Sequence, residues 1–452
     1  MLGSLRVMPG GLLTDLYELN MAASYLRRDM DLTATFSLYV RGLPKARGFL
    51  VAAGLESCIE FLESFSFTDD ELEALGAMGF DDRALVDFST LRFEGEVWAV
   101  PEGRIVHSEE PVLEVTAPVA VAQVVETVLL NQITLHTTIA SKAARYVIAA
   151  EGRQLVDFAF RRTHGVEAAM AVARASALVG FTATSNVEAA RRYGLPVAGT
   201  MAHSFIEAFP NEGEAFRAFA EDHPSRTTFL VDTYDTLGGV RAAIDTIHDL
   251  GLDGALGVRL DSGDLDALAR GARALLDDAG LMHARIFASG GLDELEVHEL
   301  VRAGAPVDAF GIGTQMGVSA DAPYIDSVYK LVEFDGRPVM KLSSAKVSPP
   351  GRKQVWRRDD GDHADLLALR DEEGPAGATP ILAMVMRDGR RVAPAAELAE
   401  AQARFVADLS DVPQKARRLT HPEHVVVPHS EALLDLTGRT RDEAARRSGA
   451  AR

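Results

Sequence analysis

The chain has 452 residues, 47% of them apolar and 25% charged, which is enough to fill one large core and a smaller one. Its net charge of −20 works against nucleic acid, and no aromatic-interleaved basic stripe offsets it. No stretch nears the roughly 20 apolar residues that cross a bilayer, the first ten residues carry no secretory-signal pattern, and the single cysteine, Cys58, cannot form an internal disulfide, so a soluble protein of the reducing cytoplasm is expected.

In chain order, residues 33–40, 94–100 and 112–116 alternate or carry β-formers and are expected strands. The run from Phe49 to Phe65 reads as helix, with Cys58 a small core residue, because no basic group adjoins it to activate a thiolate. A long helical stretch lies between Pro118 and Ala150. From about residue 155 the grammar changes. Short apolar runs (LVDF, FTAT, PVAGT, TFLVD, GALGVRL, ARIFAS and VDAFGIG) are separated in several places by amphipathic stretches, such as Val166 to Gly180, Leu237 to Leu250, Leu265 to Ala279 and Leu292 to Ala303. That βαβα order implies a parallel sheet with right-handed crossovers.

Nearly every run ends in polar or glycine-rich residues: DFAFRR, TSN, GTMAHS, VDTYDT, RLDSGD, SGG and GIGT. A barrel shares its site among many strand ends, whereas an open sheet concentrates a ligand at one switch point, so a barrel is favoured. Further β-rich segments follow at Ser327 to Phe334, Pro338 to Leu342 and Gln354 to Arg357. The expected organisation is an irregular, incomplete parallel α/β barrel over 121–325, with a smaller α/β domain built from both chain ends, 1–120 and 326–436, and a tail over 437–452.

Chemistry is sought at those strand ends. Ser289-Gly290-Gly291 and Gly311-Ile312-Gly313-Thr314 let backbone N–H groups approach an anion, each with a following helix to add its positive end. Arg259-Leu260-Asp261-Ser262-Gly263-Asp264 sets a cation and carboxylates around a turn, where they suit ribose hydroxyls or a Mg²⁺ on a diphosphate; Ser262 or Asp264 also serves as a helix cap. Phe158 with Arg161 and Arg162 across a short turn suits a flat anionic ring, the alternative for the arginine pair being a solvated edge. His203 sits at one strand end and Asp232 at the next, where a carboxylate can hold one imidazole nitrogen and leave the other as nucleophile or base. His136 and His248, on helical stretches, read as structural.

Together, LLTDLYELNMA at 12–22, DFAFRRTHG at 157–165, TSNVEAA at 184–190, GTMAHSF at 199–205, VDTYDT at 231–236, VRLDSGD at 258–264, ASGGLDE at 288–294 and GIGT at 311–314 resemble nicotinate phosphoribosyltransferases, type II phosphoribosyltransferases, in order and spacing; DGRRV at 388–392 resembles a late motif of the same family. The resemblance implies transfer of a phosphoribosyl group from phosphoribosyl pyrophosphate to nicotinate, giving nicotinate mononucleotide in NAD salvage, coupled to ATP hydrolysis, with Mg²⁺, in a homodimer whose sites are shared. It implies that Tyr17, from the neighbouring subunit, and Phe158 sandwich the pyridine ring with Asp15 beside them. Arg161 would orient the carboxylate or an adjoining phosphate, and Arg259 with Asp261 would hold ribose and diphosphate. Ser289, Gly290, Gly291, Gly313 and Thr314 would cradle the 5′-phosphate, with Lys330 and Lys346 as further phosphate contacts. His203 would be the phosphorylated histidine and Asp232 its orienting carboxylate. Ser185 stands where amide-using relatives carry an aspartate, so a neutral residue there suits a carboxylate substrate. A nicotinamide- or quinolinate-using relative, or a nucleotide sensor without turnover, are the alternatives.

Overall fold

The computed structural model describes residues 10–342, 348–358 and 365–447. The chain divides into two compact units, one from Ile139 to Pro323 and one from the segments before and after it. The first boundary falls inside the helix Glu126–Ala150.

The central unit holds a six-stranded parallel sheet in the order Ala183–Thr184, Gln154–Asp157, Ala309–Ile312, Arg285–Ala288, Ala255–Leu260, Arg226–Leu230. The first strand in sequence, Gln154–Asp157, pairs with the last, Ala309–Ile312, from Gln154 opposite Ala309 to Asp157 opposite Ile312. That closure of first on last makes a curled barrel rather than a doubly wound sheet, which would leave those strands apart. PVAGT, expected as a full strand, contributes a single bridge, Thr184 opposite Val197, with Ala198 N–H donating to the Thr184 carbonyl at 3.0 Å. Among the described residues no ladder joins it to Arg226–Leu230, so the barrel is open there.

The buried side chains of Phe229, Val258, Ile286, Phe310 and Ile312 line these strands. Each contributes about 1.5–3 kcal/mol by leaving water. The helices between strands start where a short polar side chain takes an orphan amide: Asn186 from Ala189, Asp235 from Gly238, Asp264 from Ala267 and Asp293 from Leu295 and Glu296. Asp293 also forms a reciprocal cap with Glu296, which is why that helix begins at Glu294 and not at Leu292.

The other unit contains a seven-stranded antiparallel sheet drawn from both chain ends, in the order Arg337–Pro338, Ser327–Phe334, Thr33–Val40, Pro111–Pro118, Glu96–Ala99, Ala383–Arg387, Arg390–Arg391. The expected strand over Pro338 to Leu342 shrinks to the two-residue piece Arg337–Pro338. Phe36, Leu38, Val115, Phe61, Phe65 and Phe88 fill the adjoining core, together with Cys58 on the helix Leu55–Ser64, a thiol that burial pushes far above its ordinary pKa. His136 is buried with Nδ1 2.8 Å from the Gln132 carbonyl, in keeping with a structural reading. The helix Glu431–Arg447 runs through the position where a tail was expected to begin. Among the described residues no helix is long and apolar enough to cross a membrane.

Candidate active site

Each barrel strand delivers its next residues to one rim. Asp157 ends the first strand and is buried; its carboxylate accepts from Thr184 Oγ1 at 2.7 Å and Ala159 N–H at 2.8 Å, tying two strand ends to the turn Phe160–Arg162. Burial pushes this carboxyl up, and those two donors oppose the shift. Phe158, half-buried, stacks on Phe287 with centroids 5.7 Å apart. Gly311 makes room for both rings, since a Cβ there would lie 2.7 Å from Phe158 and 2.8 Å from Phe287. Arg161 and Arg162 are exposed on the turn that follows. Ser185 is half-buried at the end of Ala183–Thr184, its N–H donating to the Asp157 carbonyl at 2.8 Å.

Polar contacts cross the rim in two groups. Arg259 donates through Nη1 to Thr200 Oγ1 at 2.7 Å. Burial lowers the Arg259 pKa, and the charges of Asp261 and Asp232 work against that while Arg161 adds to it. Asp261 accepts from Ser289 Oγ at 2.5 Å, and its own N–H donates to Asp232 Oδ2 at 3.1 Å. Ser262 Oγ donates to the same Asp232 oxygen at 2.6 Å. Of the two capping candidates in RLDSGD, Asp264 is therefore the cap and Ser262 belongs to the rim.

His203 departs from expectation in its partner. Its Nδ1 lies 3.2 Å from Thr233 Oγ1, and its Nε2 lies 4.0 Å from Asp261 Oδ2. Asp232, expected to orient the ring, instead spends Oδ2 on the 261–262 turn, while its buried Oδ1 has no hydrogen-bond partner among the described residues. The turn's N–H and hydroxyl are fixed one strand away, so they capture the carboxylate and leave the imidazole to the neighbouring threonine. Thr233 and Thr200 both lie inside motifs visible in the sequence, but a threonine hydroxyl carries no charge signal to single it out.

The glycine segments meet the rim differently from each other. Gly290 takes φ +112, and a Cβ there would sit 1.9 Å from the Asp261 carbonyl oxygen, so this position requires glycine. The positive helix ends expected after both segments are not available. Asp293 already caps Glu294–Arg302, and Thr314–Gly317 is a single turn too short for a macrodipole. What these segments present at the rim is therefore loop amides and the Thr314 hydroxyl.

Four expected residues, Asp15, Tyr17, Lys330 and Lys346, lie in the other unit or outside the described residues. Tyr17 is on the helix Leu16–Leu26, its ring about half exposed and its hydroxyl donating to Glu18 Oε1 at 3.2 Å. Thr127 Oγ1 also donates to Glu18, at 3.0 Å, and to Asp15 Oδ2, at 3.3 Å. Burial first, then the Glu18 charge, pushes the Glu126 carboxyl up to about 7, with Lys330 opposing. Lys330 stands on Ser327–Phe334 opposite Ser37. Lys346 lies outside the described residues. Glu18 and Glu126 went unnoticed in the sequence because acidic residues on helices ordinarily face solvent; only burial marks them.

Models of the nicotinate phosphoribosyltransferase (NAPRTase) N-terminal domain, of the nicotinate phosphoribosyltransferase (NAPRTase) family and of the nicotinate phosphoribosyltransferase C-terminal domain match residues 12–134, 153–360 and 374–437. Nicotinate phosphoribosyltransferase pncB2 of Mycobacterium tuberculosis is 49% identical over 394 residues, covering 86% of this chain and 84% of that protein. The chain belongs to the nicotinate phosphoribosyltransferase family. Nicotinate phosphoribosyltransferase of Bacillus subtilis is 42% identical over 374 residues, 80% of this chain and 76% of that one. Among solved structures, human nicotinic acid phosphoribosyltransferase superposes with a TM-score of 0.83 at 29% identity, covering 94% of this chain and 99% of that one. The family similarity thus runs through both units, and every barrel motif of the rim lies within the central match.

Proposed function

We propose that this chain transfers the phosphoribosyl group of phosphoribosyl pyrophosphate to the ring nitrogen of nicotinate, coupled to ATP hydrolysis, in the cytoplasm and as a homodimer. The observation that carries this reading is the set of contacts joining His203, Thr233, Asp232, Asp261 and Ser289 along one rim, with Arg259 bonded to Thr200 and feeling the charges of Asp261 and Asp232, beside the aromatic Phe158 and the cation Arg161. A diphosphate, a ribose and a flat carboxylated ring each find a matching group along that rim.

In the transfer step the pyridine nitrogen attacks C1′ of the ribose as the C1′–O bond to diphosphate breaks. No proton leaves the nucleophile, so no general base is needed. The protein's task is to align the reactants and stabilise the leaving diphosphate. Phe158, with Tyr17 from a neighbouring subunit and Asp15 beside it, sandwiches the ring; Arg161 meets its carboxylate and Ser185 avoids repelling it. Arg259 and Asp261 hold diphosphate and ribose, and Ser289, Gly290, Gly291, Gly313 and Thr314 take the 5′-phosphate, with Lys330 and Lys346 as further phosphate contacts. His203 accepts the γ-phosphoryl group of ATP as ADP leaves, and water later releases phosphate. With Nδ1 engaged by Thr233, Nε2 is the nitrogen for that bond.

The donor set also fits Mg²⁺. Asp232 Oδ1 is a buried carboxylate oxygen without a hydrogen-bond partner among the described residues, and a second carboxylate, Asp261, adjoins it through the 261–262 turn. Mg²⁺ takes one or two carboxylates plus substrate phosphates, and when bound it neutralises diphosphate charge. Asp232 and Asp261 would hold it.

The experiment is pyrophosphate release from phosphoribosyl pyrophosphate with nicotinate, nicotinamide or quinolinate, each with and without ATP. Turnover with nicotinate, stimulated by ATP, is expected. Preference for nicotinamide or quinolinate, or binding without release, would overturn the reading.

A further inference from the structure

We infer that Lys142 is a positioning residue that sets the spacing of the two halves of the phosphate cradle; the inference rests on reading Ser289–Gly291 and Gly313–Thr314 as that cradle. Lys142 sits on the helix Glu126–Ala150 with its side chain 2% exposed. Its ammonium lies 2.5 Å from Glu294 Oε2 and 2.8 Å from Asp321 Oδ1. Glu294 opens the helix three residues after Gly291, and Asp321 follows the helical turn that begins at Thr314. One buried cation therefore grips the chain just downstream of both glycine segments.

The same helix adds two holds on the first segment. Arg145 Nε donates to Glu294 Oε1 at 2.7 Å, and the Tyr146 hydroxyl donates to the Leu292 carbonyl at 3.1 Å. Burial alone would raise the Glu294 carboxyl, yet Lys142 and Arg145 hold it below the ordinary range. Two cations thus face two carboxylates. A buried set of this kind is costly to break but gains little stability over an apolar replacement. What it adds is directional: each hydrogen bond holds the chain just after a glycine segment against a rigid helix, which is what a cradle of backbone amides needs, since such amides have no side-chain freedom to correct a misplacement.

Asp321→Asn weakens the bridge at its more exposed end, where the side chain is 29% exposed, and leaves the Lys142–Glu294 pair in place. The expected result is a KM for phosphoribosyl pyrophosphate raised about tenfold, with the nicotinate KM and saturated kcat within about twofold. Lys142→Met should show the same split more strongly, and Lys142→Arg, whose fork still spans two carboxylates, should recover part of it. Thr314→Val reads the cradle directly. If Thr314→Val raises that KM and Asp321→Asn leaves it unchanged, the bridge has no positioning role. If neither variant moves it, the cradle reading itself fails. A fall in kcat/KM for both substrates alike, together with a lowered melting temperature, would mark a merely structural pair and overturn the inference.

Discussion

Gly290→Ala isolates the close approach on which the rim depends. At φ +112 an L side chain is strained by about 1–2 kcal/mol. The added methyl would also lie 1.9 Å from the Asp261 carbonyl oxygen, far inside contact distance, and backbone cannot swing aside as a side chain does. The two turns must separate by about an ångström or more to reach van der Waals distance. Asp261 is bonded to Ser289 at 2.5 Å and its N–H to Asp232 at 3.1 Å, so that separation breaks or stretches the network at its centre. A misplacement of that size costs about 100-fold, or about 2.7 kcal/mol in kcat/KM for phosphoribosyl pyrophosphate. Gly291→Ala is the control: φ is +85, but nothing lies within 4 Å of the added carbon. It should carry only the conformational cost and lose about tenfold at most. Steady-state pyrophosphate release, with thermal melts to verify folding, measures both. Equal losses in the two variants, or no loss in Gly290→Ala, would refute the reasoning.

Glu126→Gln should flatten the dependence of stability on pH. Because the folded carboxyl titrates at about 7 against an ordinary 4.5, its contribution is full below the ordinary value and is lost as pH rises through about 7. Allowing for its partial exposure, the slope removed amounts to about 1–2 kcal/mol, read as melting temperature against pH; an unaltered profile would contradict the assignment. Ser185→Asp should lower kcat/KM for nicotinate by about tenfold or more through carboxylate repulsion and affect nicotinamide less; an unchanged value would place Ser185 away from the ring. Tyr17→Ala and Arg161→Ala proteins, each nearly inactive, should regain partial activity after mixing and subunit exchange, and no recovery despite proven exchange would argue for sites built within one chain.

Most of the barrel was legible because its strands are continuous apolar runs and their C-terminal ends are polar, a pattern that parallel sheets impose. PVAGT misled because Val197 is the only residue of that run that bridges; the sequence around it has β-formers but the barrel opens beside it. The rim residues were legible as types and not as partners. In the sequence His203 and Asp232 follow successive apolar runs, which suggests a pair, but in the structure His203 opens the short helix His203–Glu207, and Thr233 and the 261–262 turn are the groups that bond to His203 and Asp232. The helix ends after the glycine segments failed for local reasons: Asp293 consumes one and the other is a single turn. Lys142, Glu294 and Glu126 were invisible because charge normally signals solvent, and nothing in spacing reveals that three such residues are buried or half-buried.

The most direct measurement is phosphate incorporation into His203. Incubation of the chain with γ-labelled ATP should yield acid-labile, base-stable phosphate on the protein, and His203→Asn should carry none. That variant should also lose ATP hydrolysis and ATP stimulation while retaining slower, ATP-independent nicotinate mononucleotide formation at high substrate. Normal ATP hydrolysis by His203→Asn, or label retained on it, would contradict the assignment of His203 as the nucleophile of the coupling step.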